Sequence, residues 1–359
     1  MRERLEDARF WVLLAALALT ALALLVPRIQ MTRNVYDVVA IVDLTKSMIT
    51  RDMHVNGKEA DRLDAAKRAL TRLLADMPCQ SRLGLGIFTE RRSFLLFNPV
   101  EVCENFAPVE TAIQSLDWRM AWEGDSMVTS GIYSAMHVAE DLGADLVFLT
   151  DGHEAPPLPP GGGMPDYEGE IGKVRGLLLG VGGRDKVPLP KIDDDGNEIG
   201  HYGHDDLPQE NRSGAPPPDA HLRPGWHPKW APFGTDPPKG DEHLAYVRSE
   251  YLEKLAAKTG LTHVDLIDTP NLLPAVSAHA RPRPVEVWVD IRPIPAALAL
   301  LLLVALYAAP FAGRIVSHAW ANGRKKIKPR TEGPGSRTTR DTSRSLGTPA
   351  RLEGARTGV

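Results

Sequence analysis

From Val35 onward, short apolar runs alternate with longer segments of helical period, and this rhythm constrains the fold more than any other feature of the chain. VYDVVAIV is too short for a helix and suits a strand buried on both faces of a parallel sheet. The segment from Asp61 to Met77 places Leu63, Ala66, Leu70, Leu73, Leu74 and Met77 on one helical face. RLGLGIF and SFLLF read as two further strands, and Phe106 to Leu116 and Thr129 to Leu142 as helices. ADLVFLTDG closes another strand at a turn glycine. VRGLLLGVGG (Val174 to Gly183) adds a fifth, Tyr246 to Lys258 a helix, and THVDLI a last strand. Repeated strand and helix alternation predicts an α/β fold, three layers about a doubly wound, mostly parallel sheet.

One segment breaks the rhythm. Residues 184–240 are dense in proline, glycine, aspartate and histidine, which rules out helix or central strand and predicts an insertion. Within it, LPKIDDDGNEIGHYG carries a turn-type Asp-Gly between alternating flanks and reads as a β-hairpin. His201, His204, Asp205 and Asp206 lack any metal-ligand spacing. Asp193, Asp194 and Asp195 fail the EF-hand register, so both groups read as solvated loop.

Two uncharged apolar stretches bracket this region, Phe10 to Val26 and Ile294 to Ala312. At about 1.5 Å per residue each rises roughly 26 to 28 Å, close to a ~30 Å hydrocarbon core. Both are expected to cross a membrane, the first as an uncleaved anchor rather than a signal peptide. Arg2, Arg4 and Arg9 precede the first; Arg314, Arg324, Lys325, Lys326, Lys328 and Arg330 follow the second. That places both termini in the cytoplasm and the main domain outside. The expected organisation is a cytoplasmic segment 1–9, a spanning helix 10–27, and an exported domain 35–280 containing the insertion 184–240. A linker strand 281–292, a second spanning helix 293–312 and a basic, disordered tail 313–359 follow. In an exporting compartment the two cysteines, Cys79 and Cys103, are either bridged or a pair of buried thiols, with the bridge favoured. A net charge of −4 gives no global basic field for nucleic acid.

Chemistry concentrates at strand ends, where open α/β sheets bind ligands. Asp43 ends the first strand and is followed at two-residue steps by Thr45 and Ser47. Asp151 ends the fourth strand, and the loop WEGDSMVTSG brings Ser126 just before a helix. A hard divalent cation such as Mg²⁺, or Mn²⁺ or Ca²⁺, takes oxygen ligands and needs only one or two protein carboxylates. Asp43, Thr45, Ser47, Ser126 and Asp151 meet that demand and leave room for a partner's carboxylate. Lys46 puts a cation in this loop and is expected to face solvent. His153 and Glu154 tune the site or merely cover it. Trp118, Met120 and Trp122 form either an aromatic rim for a partner or part of the core.

This pattern resembles the von Willebrand factor A family, whose metal-ion-dependent adhesion site (MIDAS) reads Asp-x-Ser-x-Ser, then Thr, then Asp. Here Thr45 stands for a serine and Ser126 for the threonine, and each keeps a hydroxyl. A narrower likeness, through RLDAAKRALTRLLADMPCQSRLGLGIFTERRSFLLFNPVEVCENFAPVETAIQSLDWRMAWEGDS, is to membrane-anchored bacterial members. These are the MxaL-type accessory proteins of methanol-oxidation clusters, encoded beside MoxR-type AAA+ ATPases. The resemblance implies a non-enzymatic protein of the inner membrane with its main domain in the periplasm. It also implies a role in assembly of, or calcium insertion into, a methanol dehydrogenase. Its implied partners are that enzyme or other accessory proteins, with a cytoplasmic ATPase. The alternatives are a metal-assisted phosphoryl hydrolase and a scaffold with a degenerate metal site. The hydrolase lacks a phosphate-cradling loop or an activated nucleophile in the sequence.

Overall fold

The structure is a computed structural model and describes residues 8–324 except 26, 27, 56, 123, 160–162 and 194. The chain divides into two units, residues 30–289 and the terminal segments 1–29 with 290–359. In chain order the elements are α1 (Ala8–Leu25), β1 (Arg28–Val35), β2 (Asp37–Asp43), β3 (Met53–Val55), β4 (Lys58–Ala60) and α2 (Arg62–Asp76). They continue with β5 (Arg82–Thr89), β6 (Arg92–Glu101), α3 (Phe106–Gln114), α4 (Val128–Asp141), β7 (Asp145–Thr150) and β8 (Gly176–Gly180). The insertion holds β9 (Val187–Pro188), β10 (Pro190–Ile192) and β11 (Glu198–His201). After it come β12 (Leu244–Ala245), α5 (Ser249–Thr259), β13 (Thr262–Asp265), α6 (Leu272–His279), β14 (Arg283–Asp290) and α7 (Pro293–Arg324).

The central sheet runs β13-β8-β7-β2-β5-β6. All its pairings are parallel except β5 with β6, an antiparallel edge. Because β2 has β5 on one side and β7 on the other, the chain leaves it at a topological switch point, and the loops after β2 and β7 open a crevice there. Along β2, Val38, Ala40 and Val42 face one apolar layer with Leu63, Leu70 and Leu73 of α2. Val39 and Ile41 face the other, with Ile132 and Met136 of α4 and Leu252 and Leu255 of α5. Period 2 in the strand and period 3.6 in the helices thus meet in two cores, as a three-layer α/β fold requires. All six residues of the predicted α2 stripe are buried. Each leucine there contributes roughly 1.5–3 kcal/mol by burial.

Asp61 caps α2 by accepting from Asp64 N. Gly131 lets α4 approach β5: a Cβ there would lie 2.2 Å from the Phe88 ring, so a side chain would lift the helix start off the sheet. The insertion forms the expected hairpin, β10 with β11, while β9 pairs with β12 beyond it. Cys79 and Cys103 are bonded to each other and tie the loop after α2 to the loop after β6. Three features had no counterpart in the sequence reading: the β3–β4 hairpin, α6, and the ribbon that pairs β1 with β14. The expected linker strand is one half of that ribbon.

The two apolar stretches do form helices, α1 and α7, which pack on each other; Ala16, Ala23 and Ala299 on them are buried. Among the described residues no helix is long and apolar enough to cross a membrane. The expected disordered tail, 313–359, begins inside α7, which continues as helix to Arg324; the rest of that tail and the segment 1–7 lie outside the described residues.

Candidate metal centre

The site is built at the switch point. β2 delivers Asp43 with no solvent exposure, and a single 3-10 turn, Lys46–Ile49, curls the following loop back over it. Asp43 Oδ1 accepts from Thr45 N at 2.8 Å and Oδ2 from the Thr150 hydroxyl at 2.6 Å. The Thr45 and Ser47 hydroxyls lie 3.3 Å apart, both buried. Burial, and then the nearby charge of Asp151, push the Asp43 carboxyl up to about 7, and these hydrogen bonds only partly offset that. Lys46 is exposed, as expected.

Ser126 is brought to the same edge by backbone. Its N–H donates to Ala155 O at 2.6 Å and its carbonyl accepts from Ala155 N at 2.8 Å, while Met127 N donates to Glu90 O at 2.6 Å. The Ser126 loop is thereby stitched both to the turn after β5 and to the loop after β7. The Ser126 hydroxyl is buried and has no hydrogen-bond partner among the described residues. Such an atom carries an unrecovered desolvation cost.

Asp151 follows β7, also fully buried. Its Oδ1 accepts from His153 N at 2.9 Å, and its Oδ2 accepts from Arg62 Nη1 at 2.5 Å. Arg62 is the first residue of α2 and has no exposure at all. It reaches Asp52 as well, through Nε at 3.0 Å and Nη2 at 2.5 Å, and Asp52 Oδ2 also accepts from Gly183 N at 2.9 Å. Burial works against the guanidinium charge, yet Asp151 and Asp52 hold its pKa above the ordinary arginine range. A cation at a helix start opposes the macrodipole, so Arg62 sits there because of these carboxylates and not from any local preference.

Behind the loop, Glu154 Oε1 accepts from Thr129 N at 2.8 Å, from the Thr129 hydroxyl at 2.9 Å, and from the Tyr251 hydroxyl. Burial raises the Glu154 carboxyl, and burial together with Glu154 raises the Tyr251 phenol. His153 Nε2 lies 3.2 Å from Glu242 Oε2 just after the insertion. His153 and Glu154 are therefore buried supports of the loop rather than a cover for it. Trp118 is half-buried under Arg119, 4.7 Å from its ring, while Met120 and Trp122 are 38% and 56% exposed. Trp122 packs edge-on against Phe94 at 5.0 Å, so these side chains line the surface and not the core.

The structure thus brings Asp43, Thr45, Ser47, Ser126 and Asp151 to one edge. Their donor set, two carboxylates and three hydroxyls, suits a hard cation, and the orphaned Ser126 hydroxyl fits a ligand in waiting. Arg62, Asp52, Thr150 and Thr129 escaped the sequence reading. The one available signal for Arg62 was an arginine in the first turn of an amphipathic helix, where a cation is disfavoured.

Residues 38–153 match the von Willebrand factor type A domain family, and the chain contains such a domain. No curated protein matches it significantly. Among solved structures, it is similar to an aerotolerance-related membrane protein from Bacteroides fragilis solved with multiple mutations to serines. There the identity is 16% over 68% of this chain and 97% of that one, with a TM-score of 0.41. An uncharacterized membrane spanning protein from Vibrio fischeri aligns at 19% identity over 33% of this chain and 69% of that one, TM-score 0.23. Proximal thread matrix protein 1 from the mussel byssus aligns at 15% over 36% and 34%, TM-score 0.26. With TM-scores below 0.5, these likenesses do not bear on what this chain does.

Proposed function

We propose that this chain is a non-enzymatic binding module whose A-domain holds a divalent cation, Mg²⁺ first among candidates, and completes its coordination with an Asp or Glu from a protein client. The observation that carries this reading is the convergence of five oxygen-bearing side chains at the switch point, with the Ser126 hydroxyl left without a partner. Asp43 and Asp151 supply the negative charge, Thr45, Ser47 and Ser126 neutral oxygen donors. Trp122 and Met120 supply apolar surface beside them. The cation's chemistry here is electrostatic: it gives a client carboxylate a charge to bind. The finer resemblance makes a periplasmic methanol dehydrogenase or its accessory proteins the client, and an inner-membrane anchor and a MoxR-type ATPase the setting.

Calorimetric titration of the purified chain with Mg²⁺, beside Asp43→Ala and Asp151→Ala, tests the site. Expected is saturable binding in wild type, weakened about 100-fold or more in Asp43→Ala, with circular dichroism unchanged. A second reading, a scaffold with a degenerate site, is favoured by one observation, the Arg62 guanidinium on Asp151. It expects no Mg²⁺ heat in any of the three proteins.

A further inference from the structure

Arg62 brings a permanent positive charge to a carboxylate that the proposed cation also needs. Its guanidinium cannot be discharged near neutral pH, and it is wholly buried. It donates to Asp151 Oδ2 at 2.5 Å and clasps Asp52 with Nε and Nη2. The backbone makes room for it: Gly182 has φ +147°, and a Cβ there would lie 2.8 Å from Arg62 Nε. Asp52 is itself fixed by Gly183 N at 2.9 Å, so the arginine is held from behind and cannot simply swing away. Two carboxylates, Asp43 and Asp151, face the site. Part of one is already neutralised, and a divalent cation entering meets a fixed positive charge in a buried setting where screening is weak. A carboxylate from a client would return the negative charge that Arg62 withholds.

Resting on the metal-site reading above, we infer that Arg62 is an affinity-setting counter-charge: it keeps the chain's own grip on a divalent cation weak and makes tight binding depend on an acidic partner. Asp52 is its modulator. Taking half of the guanidinium, Asp52 limits how strongly Arg62 claims Asp151.

The two residues should therefore move Mg²⁺ affinity in opposite directions, which a merely structural role would not do. In calorimetry of the full chain with Mg²⁺ alone, Arg62→Gln is expected to bind at least tenfold tighter than wild type, and Arg62→Lys, which keeps the charge, close to wild type. Asp52→Asn is expected to bind several-fold weaker, since the whole guanidinium then falls on Asp151. Circular dichroism and a thermal melt report folding. If Arg62→Gln fails to fold, Asp52→Asn decides: weaker binding supports the inference, and unchanged or tighter binding overturns it. A folded Arg62→Gln that binds no tighter than wild type overturns the inference while leaving the metal site standing. Silence in wild type with binding in Arg62→Gln supports it, and silence in both removes the metal reading and the inference together.

Discussion

Two neighbouring strands carry an aspartate at each end, and the two ends treat theirs differently. At the amino ends, Asp37 is gripped bidentately by Arg283 at 2.8 Å through both oxygens. Asp145 accepts from the backbone N–H groups of Arg175 and Arg281. At the carboxyl ends, Asp43 and Asp151 are wholly buried; Asp151 is paired with Arg62, which Asp52 claims as well, while Asp43 accepts from Thr45 N and the Thr150 hydroxyl. Buried polar atoms without partners among the described residues also lie here, including the Ser126 and Thr89 hydroxyls and His153 Nδ1. One edge is therefore finished as structure and the other is left with unspent polarity. Natural interiors satisfy most of their polar groups, so each unpartnered atom at this edge calls for an explanation, and a ligand is one of them.

That contrast can be broken by mutation. The largest effect on stability is expected at the finished edge. Asp145→Ala takes the acceptor from two partly buried N–H groups and should cost about 2 kcal/mol, lowering the melting temperature by several degrees with Mg²⁺ affinity unchanged. A parallel loss of Mg²⁺ binding in the same titration would erase the division between the two edges. Next, Ser126→Ala should weaken Mg²⁺ roughly tenfold yet leave the melting temperature of the metal-free chain unchanged or higher, because it removes a buried hydroxyl that gains nothing from the fold. Destabilisation in the melt would show that the hydroxyl has a structural partner.

The smallest effect concerns pH. Asp43 is raised from an ordinary 3.8 to about 7 by burial and by Asp151, so between those values the folded chain keeps a proton that the unfolded chain has lost. The metal-free domain should then lose stability as pH rises through that window. Mg²⁺ must displace the same proton, so its affinity should be several-fold weaker at pH 6 than at pH 8. Equal affinities by calorimetry at the two values would place the Asp43 carboxyl in the ordinary range.

The strands β2, β5, β7 and β8 and the stripe of α2 were legible because burial on two faces, or on one, writes period and apolarity directly into the chain. So was the placing of Asp43, Thr45 and Ser47 together, since an aspartate and two hydroxyls at two-residue steps directly follow a buried strand. Arg62 was not legible: a charged residue opening a helix reads as solvated, and only the tertiary approach of Asp52 and Asp151, 10 and 89 residues away, turns it inward. The β1–β14 ribbon was equally hidden. RIQMTRNV is almost wholly exposed, so nothing in its pattern marks a strand, and its partner lies at the other end of the domain. The two apolar stretches were legible as helices, α1 and α7, because an unbroken uncharged run of that length leaves little else for the backbone to form.

The Arg283–Asp37 clasp joins positions 246 residues apart and makes the domain close on itself like a ring with its seam at the β1–β14 ribbon. Chain ends that meet can be exchanged for ends elsewhere. A circular permutant joined across that seam by a short linker, and reopened within the exposed proline-rich insertion, should keep the central sheet and with it the whole arrangement of Asp43, Ser126 and Asp151. The order in which this polypeptide is read from end to end is then incidental to its binding edge.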